Sequence, residues 1–430
     1  MAVRLKKRIL VTPASNILAH AGRCVLLATE LAQRGHEIIL AGSPRYLQDP
    51  QVTADSFHYR PLPDFEASEG LTLLRTLHRR PGHRLLQEHI QAELDLIDQI
   101  APDAVIIDFR LTMYLSAMIR GVPRISLLGG RWLPSRAAYP YRAFRTYPHY
   151  RLIKRLVGRA GTDWLVPQLL KVVLWYKMAP YRTLMKQLGL PVKTHLWDLL
   201  EGELNLVLDS ERLAPLNELP AHFVRVGPLY WSPSGPLPEW FEDVASDRPL
   251  VYVTMGSTGH PALFPLLIAL FADRAFNVIL TTGGQVSIEE KDLPTNIRVA
   301  RFLPGGAVMQ RADVVICHGG AGSVYQAISA GRPVIAIATH FEQELLGQQI
   351  EAAGAGILLS LHEVLAEPTL VMQSVKHILD NRDHYTSCMK VLRDSHARYD
   401  PVRSAADAIE SFLGVGSEEL ARVGVRLVGG

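Results

Sequence analysis

Short, continuously apolar runs recur along the chain, and segments with the apolar spacing of helices separate them. Such runs, rich in β-branched residues and lacking polar alternation, are typical of parallel strands that helices cover on both faces. The pattern therefore predicts an α/β fold in which strands and helices alternate. The runs are RILVTP, EIILAG, AVIID, RISLLG and LNLVLD in the first half, and LVYVTMGS, NVILTTGG, IRVARF, DVVICH and PVIAIA in the second.

The segment between these two sets of strands is irregular. It reads VGPLYWSPSGPLPEWFEDVASDRP and is dense in proline, glycine and serine, which indicates a linker. We therefore predict two doubly wound, Rossmann-like domains facing a central cleft: residues 1–227, a linker at 228–248, and residues 249–430. Ligands of such sheets bind at the carboxyl ends of the strands, so the cleft between the domains is the expected site.

Composition narrows the class of protein. Of the 430 residues, 48% are hydrophobic and 20% charged, which is typical of a globular enzyme. Cys24, Cys317 and Cys388 are odd in number and far apart, which excludes a disulfide framework and a CxxC site. The N-terminus lacks the apolar core of a signal peptide, and no run of ~18 apolar residues occurs. A cytoplasmic location is expected.

One region departs from charge balance. From Arg131 to Lys186 there are twelve Lys or Arg and a single acid, Asp163, interleaved with ten aromatic residues. We interpret residues 131–187 as a helical insertion. Its basic faces either contact only solvent or contact a lipophilic acceptor or the inner face of a membrane. A nucleic-acid groove ranks lower, because the rest of the chain is near charge balance and carries no nucleic-acid-binding module.

The run ADVVIC ends in the glycine-rich segment HGGAGSVYQA. Its glycines allow a sharp turn and a close approach of the backbone to a ligand. A helix from about Ser323 to Ala330 would then direct its free N–H groups at an anion such as a diphosphate, and His318 could donate a further hydrogen bond. Taken alone, the segment fits a structural turn equally well.

The wider context is more specific. Residues 296–359 resemble the donor-binding signature of the family 1 nucleotide-sugar glycosyltransferases, UDP-glycosyltransferase-like bacterial enzymes of the macrolide type with the GT-B fold. The signature runs from an aromatic-x-Pro element through His-Gly-Gly and Gly-x-Pro to an acidic-Gln pair. The segments VGPLYW, PLVYVTMGS and LATELAQRGHEIILAG match further parts of the family, so the resemblance covers nearly the whole chain.

The resemblance implies roles for ten donor-binding residues. Phe302 would stack near the base, Gln326 would bond the ribose, and Glu342 with Gln343 would contact the sugar hydroxyls. The diphosphate would be held by Ser257, His318, Gly319, Gly320, Gly322 and Ser323.

The acceptor half carries a candidate base. His20 lies sixteen residues before His36, the spacing at which the family places its catalytic histidine, and Asp108 matches the carboxylate that orients it. An alcohol is a poor nucleophile until a base removes its proton, and a histidine base contributes ~10² to 10⁴ in rate. Arg23 stands where relatives usually have proline. We interpret His36 as structural.

The expected function is an inverting transfer of a hexose or deoxyhexose from a nucleotide-diphospho-sugar to a hydroxyl of a small lipophilic acceptor, such as a natural product, carotenoid, sterol or lipid. The sequence has no Asp-x-Asp and no clustered His or Cys, so neither a metal nor a cofactor is expected. Three alternatives remain open: a transferase on a lipid-linked precursor, a nucleotide-sugar epimerase, and a non-catalytic nucleotide-sugar-binding partner protein.

Overall fold

The structure of the chain is a computed structural model. This structure describes residues 6–50, 52–53, 57–76, 79–133, 145–147, 149–244, 247–289 and 293–415. Tyr139, Tyr141 and Phe144 of the predicted basic insertion lie outside these ranges.

The first unit is a sheet of seven parallel strands in the order β3-β2-β1-β4-β5-β6-β7. Its strands are β1 Arg8–Pro13, β2 Glu37–Gly42, β3 His58–Pro61, β4 Ala104–Asp108, β5 Arg124–Leu128, β6 Leu204–Val207 and β7 Phe223–Arg225. Its helices are α1 Leu18–Gln33, α2 Pro44–Leu47, α3 Ala67–Arg75, α4 His83–Ile100, α5 Leu111–Arg120, α6 Tyr150–Lys177, α7 Ala179–Gln187 and α8 Leu196–Leu200.

The second unit is a sheet of six parallel strands in the order β10-β9-β8-β11-β12-β13. Its strands are β8 Leu250–Thr254, β9 Asn277–Thr281, β10 Ile297–Ala300, β11 Val314–Cys317, β12 Val334–Ala338 and β13 Gly356–Ser360. The helices that follow β8 in the chain are α9 Leu263–Phe271, α10 Gly305–Arg311, α11 Ala321–Ala330, α12 Phe341–Ala352, α13 Leu361–Ala366, α14 Thr369–Asp380, α15 Arg382–His396 and α16 Pro401–Phe412.

The two parallel sheets confirm the predicted α/β fold class. In each sheet the strand order reverses once, between β1 and β4 and between β8 and β11. At such a switch point the loops leaving the two neighbouring strands diverge and leave a crevice for a ligand. The candidate residues follow these four strands, since the segment after β1 leads to His20, β4 ends at Asp108, Ser257 follows β8 and His318 follows β11.

The last helix returns to the first unit. Helix α16 packs against α1, and its Ala405, Ala406 and Ile409 are fully buried in the core formed with β1, β2 and α1. The ring of His36 approaches Glu410 on α16 at 3.1 Å. His36 is therefore buried against α16, which suits the structural role expected for it. The sequence did not predict that α16 packs on the first unit. The predicted domain boundaries stay a prediction.

The predicted linker is anchored in both units. Leu229 is buried in the core of the first unit, and Phe241 is buried in that of the second. A Cβ on Gly22 of α1 would lie 2.6 Å from Trp231 Cβ. The segment thus packs closely on α1 as it crosses from one sheet to the other.

Candidate active site

A cleft of about 1570 Å³, counting the space open to solvent, has walls from both units. Of the twelve residues predicted from the sequence, Asp108 and Gly319 do not line the cleft; the other ten do, namely His20, Ser257, Phe302, His318, Gly320, Gly322, Ser323, Gln326, Glu342 and Gln343.

His20 and Asp108 form a hydrogen-bonded pair at the first-unit wall. The Nδ1 atom of His20 lies 2.7 Å from an oxygen of Asp108, and the Asp108 side chain is fully buried. His20 remains partly exposed and lines the cleft. When Nδ1 carries the proton and donates to Asp108, the lone pair of Nε2 is available to accept a proton from a bound hydroxyl.

Arg23 also hydrogen-bonds to Asp108, so the three side chains form one cluster. Its Nε donates to one Asp108 oxygen at 2.5 Å and its Nη2 donates to the other at 2.6 Å. Nη2 also lies 2.8 Å from His20 Nδ1. Burial raises the pKa of Asp108, but the charges and hydrogen bonds of Arg23 and His20 outweigh burial and lower that pKa to about 2. Asp108 is therefore a carboxylate at any neutral pH.

Phe109 follows Asp108 and precedes α5, and its backbone is strained. Its φ is 61°, a conformation that costs a non-glycine residue of order 1–3 kcal/mol. The ring stacks on His20 with centroids 5.7 Å apart and contacts Trp132 at 4.7 Å. Trp132 in turn meets Phe341 of α12 edge-on at 5.8 Å. An aromatic row thus extends from the candidate base to the second unit.

The glycine turn after β11 encloses His318. A Cβ on Gly256 would lie 2.6 Å from the ring of His318, and a Cβ on Gly320 would lie 2.2 Å from its Nε2. Only glycine fits on either side of this imidazole. Helix α11 begins at Ala321 with Gly320 as its N-cap and without a side-chain cap. The predicted helix start at Ser323 was wrong, because the extended backbone of Gly320 already ends the turn.

His318 is uncharged in this environment. Burial, followed by the neighbouring His340, lowers the pKa of His318 to about 4. Its Nδ1 has no hydrogen-bond partner among the described residues. The nearby His340 is also buried, and its pKa is likewise lowered to about 4. Anion binding at this turn therefore depends on N–H donors and on the helix N-terminus rather than on a histidine cation.

Glu342 is held by an arginine of the first unit. The Nε and Nη2 atoms of Arg131 lie 2.7 and 2.6 Å from one oxygen of Glu342. Burial opposes ionisation of Glu342, but Arg131 outweighs it and the pKa is lowered to about 2. Gln343 is fixed locally, since its side-chain oxygen accepts from the N–H and hydroxyl of Thr339 at 2.8 and 2.9 Å. The acidic-Gln pair is thus rigid.

The other predicted donor-binding residues lie along the same wall of the cleft. Phe302 is 43% exposed, and the guanidinium of Arg301 lies 5.4 Å from its ring centre. The side-chain oxygen of Gln326 accepts from the Ser232 hydroxyl at 3.2 Å. A flat, accessible ring at this place can stack on a planar base.

A second cavity, which we call the apolar chamber, adjoins the cleft. It measures about 1130 Å³ including open space, and it shares Ile17 and Phe109 with the cleft. Its walls come from the first unit and from α12. The apolar side chains that line it include Phe65, Leu73, Leu111, Leu174, Met178, Tyr181, Leu196 and Phe341.

Sequence reasoning missed several residues of this site. Arg23 was visible only as a departure from the family pattern. Arg131 was counted as part of a basic surface, yet it is 5% exposed and pairs with Glu342. Trp132 was counted only among the aromatic residues of the basic region, and Phe109 gave no signal, because the positions of both depend on the backbone after β4 and β5. Asp209, which accepts from the Tyr325 hydroxyl and the Gly130 N–H, gave none either.

The described ranges show neither a cluster of metal ligands nor a helix suited to crossing a membrane. Within those ranges, His, Cys, Asp and Glu side chains do not gather in a group of three or more that could hold a metal ion. No described helix combines the length and apolar character that crossing a bilayer requires.

Comparisons with known proteins agree with this geometry. Residues 266–410 match the family described as "Erythromycin biosynthesis protein CIII-like, C-terminal domain". The chain is 31% identical over 398 residues to a PGL/p-HBAD biosynthesis rhamnosyltransferase of Mycobacterium bovis (strain BCG / Pasteur 1173P2), covering 91% of this chain and 85% of the relative. It is 30% identical over 386 residues to a PGL/p-HBAD biosynthesis glycosyltransferase of Mycobacterium tuberculosis (strain ATCC 25177 / H37Ra), covering 89% and 87%.

Solved structures share the fold over nearly the full length. The spinosyn rhamnosyltransferase SpnG complexed with thymidine diphosphate superposes with a TM-score of 0.64 and 18% identity, covering 94% of this chain and 99% of that chain.

Proposed function

This chain belongs to the family of nucleotide-sugar glycosyltransferases with the GT-B fold that includes the PGL/p-HBAD biosynthesis enzymes. We propose that it transfers a hexose or deoxyhexose to a hydroxyl of a lipophilic acceptor. We propose further that the transfer inverts the configuration at the anomeric carbon. The observation that carries this proposal is the hydrogen-bonded pair of His20 and Asp108 in the same cleft as the glycine turn of His318. A base for the acceptor and a cradle for the leaving group thus share one cavity.

The donor's diphosphate binds at the turn that follows β11. The N-terminus of α11 presents unpaired backbone N–H groups there, and the neutral imidazole of His318 can add one donor. These groups stabilise negative charge as it develops on the leaving nucleoside diphosphate. A nucleotide sugar with thymidine or uridine diphosphate is the proposed donor, and the proposed leaving-group stabilisation requires no metal ion.

His20 removes the proton of the acceptor hydroxyl as that oxygen attacks the anomeric carbon. Asp108 orients the imidazole and stabilises the positive charge that the ring acquires. The carboxylate of Asp108 cannot itself attack the sugar, because it is fully buried beneath His20 and Arg23. With His20 placed as a base and Asp108 enclosed, direct displacement of the leaving group is the proposed course, and it inverts the configuration.

The apolar chamber supports a lipophilic acceptor. It adjoins the cleft of His20, with which it shares Ile17 and Phe109. In the proposed complex a hydroxyl of the acceptor reaches the base past these two residues, and the apolar body of the acceptor lies among leucines and aromatic rings. Burial of such a body contributes about 25 cal/mol for each Å² of apolar surface removed from water. This favours sterol-like, lipid or aglycone acceptors over polar ones.

The test compares wild type with His20→Ala and with a control, His58→Ala, at an exposed histidine of β3. Thymidine and uridine diphosphates and their sugars are titrated calorimetrically. A library of hydrophobic alcohols is then incubated with the bound donor, with and without a chelator, and products are read by mass. We expect all three proteins to bind the same nucleotide and His20→Ala to lose ~10² to 10⁴ in transfer rate.

Two outcomes would overturn the proposal. If His20→Ala transferred sugar as fast as wild type, the base assignment would fail. If nucleotide bound but no alcohol gained a sugar mass, a non-catalytic nucleotide-sugar-binding role would replace transfer, and release of an epimerised donor would indicate the epimerase alternative.

A further inference from the structure

Helix α6, which is interrupted by the non-helical backbone of Gly158, exposes large apolar side chains on both of its segments. Leu156 is 75% exposed, Trp164 69% and Val172 62%. Monomeric soluble proteins rarely expose such residues together. Seven of the large hydrophobic side chains exposed in the described residues lie on this one helix: Leu152, Leu156, Val157, Trp164, Val172, Trp175 and Tyr176.

Basic side chains surround these apolar residues. From Tyr150 to Lys186 the chain has eight Lys or Arg and one acid, Asp163. Four of the cations are exposed on the first part of α6: Arg151, Lys154, Arg155 and Arg159. The guanidinium of Arg182 lies 4.2 Å from the ring centre of Trp175. An exposed strip of Trp, Leu and Val with a rim of cations is complementary to an anionic lipid surface.

The inner face of the same helix has different contacts. Val166 is fully buried against Leu345 of α12. Leu174 and Lys177 of α6, with Met178 and Tyr181 that follow, form part of the wall of the apolar chamber. At its C-terminal end, α6 therefore has chamber-lining residues next to the exposed Trp175 and Tyr176.

The basic insertion predicted from the sequence thus divides into two parts. Arg131 pairs with Glu342, and the backbone N–H groups of Arg145 and Thr146 donate to Glu344 at 2.5 and 2.7 Å. These residues join the two units. The eight cations from Arg151 onward lie on α6 and α7, and Arg136 and Arg142 are outside the described residues.

We propose that α6 docks on an anionic lipid bilayer through its exposed apolar side chains, Leu156 before the break at Gly158 and Trp164 and Trp175 after it. Docking there brings the end of α6 that lines the apolar chamber, Leu174 and Lys177, close to the membrane. This inference goes beyond the transfer reaction and does not depend on it, because the contact needs neither donor nor acceptor. A free phosphate or nucleotide would not occupy this face, since its centre is apolar.

The experiment is flotation of the full chain with vesicles of phosphatidylcholine alone or with 30% phosphatidylglycerol, at low and at high salt. Wild type is expected to float with the anionic vesicles at low salt and to be released as salt screens the charges. A Leu156→Ser/Trp164→Ser/Trp175→Ser variant and a Lys154→Glu/Arg155→Glu/Arg159→Glu variant are each expected to lose at least about tenfold in partitioning.

Matched controls lie on the second unit. Val391→Ser removes an exposed apolar side chain of α15, and Lys390→Glu/Arg398→Glu reverses two exposed charges nearby; both are expected to float as wild type does. Nucleoside diphosphate titration checks that every variant is folded. Wild type that stays in solution at low salt, or controls that lose binding as much as the α6 variants, would overturn the proposal even if sugar transfer is intact.

Discussion

Arg23 neutralises and orients the carboxylate that holds His20. The guanidinium donates to both oxygens of Asp108 and also lies 2.8 Å from the imidazole. A carboxylate this deeply buried needs a charged, hydrogen-bonded partner, and Arg23 is that partner. The orientation of His20 in the cleft therefore depends on Arg23 through Asp108.

We expect Arg23→Gln to lower kcat at least about tenfold, because the buried carboxylate of Asp108 loses the charged partner that holds it in place. Arg23→Lys keeps a cation but loses the bidentate fork, and it is expected to retain more activity than Arg23→Gln. Nucleoside diphosphate titration checks that both variants are folded. A kcat of Arg23→Gln equal to that of wild type would show that Arg23 only supports packing.

At the scale of elements, the segments that follow β8 and β11 enclose the ring of His318 from two sides. Gly256 at one strand end and Gly320 at the other leave room for the ring between them. The ring cannot move away from a new side chain on one side, because the backbone of the other side is already in contact. Steric crowding in such a place costs roughly 1–3 kcal/mol.

Gly320→Ala is therefore expected to lower thermal stability and to weaken nucleoside diphosphate binding at least tenfold. Gly82→Ala is the matched control: a Cβ there also meets nothing within 4 Å, and Gly82 lies before α4, away from the cleft. Thermal unfolding and calorimetric titration of both variants measure the difference. Equal behaviour of the two variants would contradict the role of Gly320 as a steric requirement.

The elements differ in how far the sequence predicted them. Central strands such as β1 and β11 are continuous β-branched runs, and the pattern alone located them. Strand β3, His58–Pro61, reads as polar because it lies at the sheet edge, where only one neighbour pairs with it. Strand β7 has three residues, which is too short for a periodic signal. Both were missed for these physical reasons.

Within the site, the turn residues were predictable because glycine spacing reports on backbone geometry. The positions of Arg23 and Arg131 were not, because each depends on a partner that is distant in the sequence. Arg23 meets a carboxylate 85 residues away, and Arg131 meets one 211 residues away. Long side chains of this type can reach many places, and only the folded chain shows which carboxylate they contact.

At the scale of the whole molecule, buried histidines set the response to acid. The pKa values of His318, His340 and His396 are all lowered to about 4, chiefly by burial. The unfolded chain takes up these protons near pH 6.5, but the folded chain does so only near pH 4. Their contribution to the free energy of unfolding is complete above about pH 6.5 and is lost progressively as the pH falls to 4.

His396 offers the cleanest test, because neither ring nitrogen has a partner in the described part of the chain and it lies outside the cleft. We expect His396→Leu to unfold at the same or a higher urea concentration than wild type at pH 7.5. Between pH 6.5 and 4 its stability is expected to depend less steeply on pH, by about 1.4 kcal/mol per unit. The exposed His58→Leu serves as control, and a slope identical to that of wild type in His396→Leu would contradict the assignment.

The return of α16 to the first sheet also has a consequence in time. A ribosome makes the residues of the first sheet before those of the second, and an N-terminal domain commonly folds while the rest is still being synthesised. Here Ala405, Ala406 and Ile409 belong to the first core but are made after both sheets. Part of the apolar surface of the nascent first unit therefore stays exposed until the second unit has left the exit tunnel. The two units then complete their folding together.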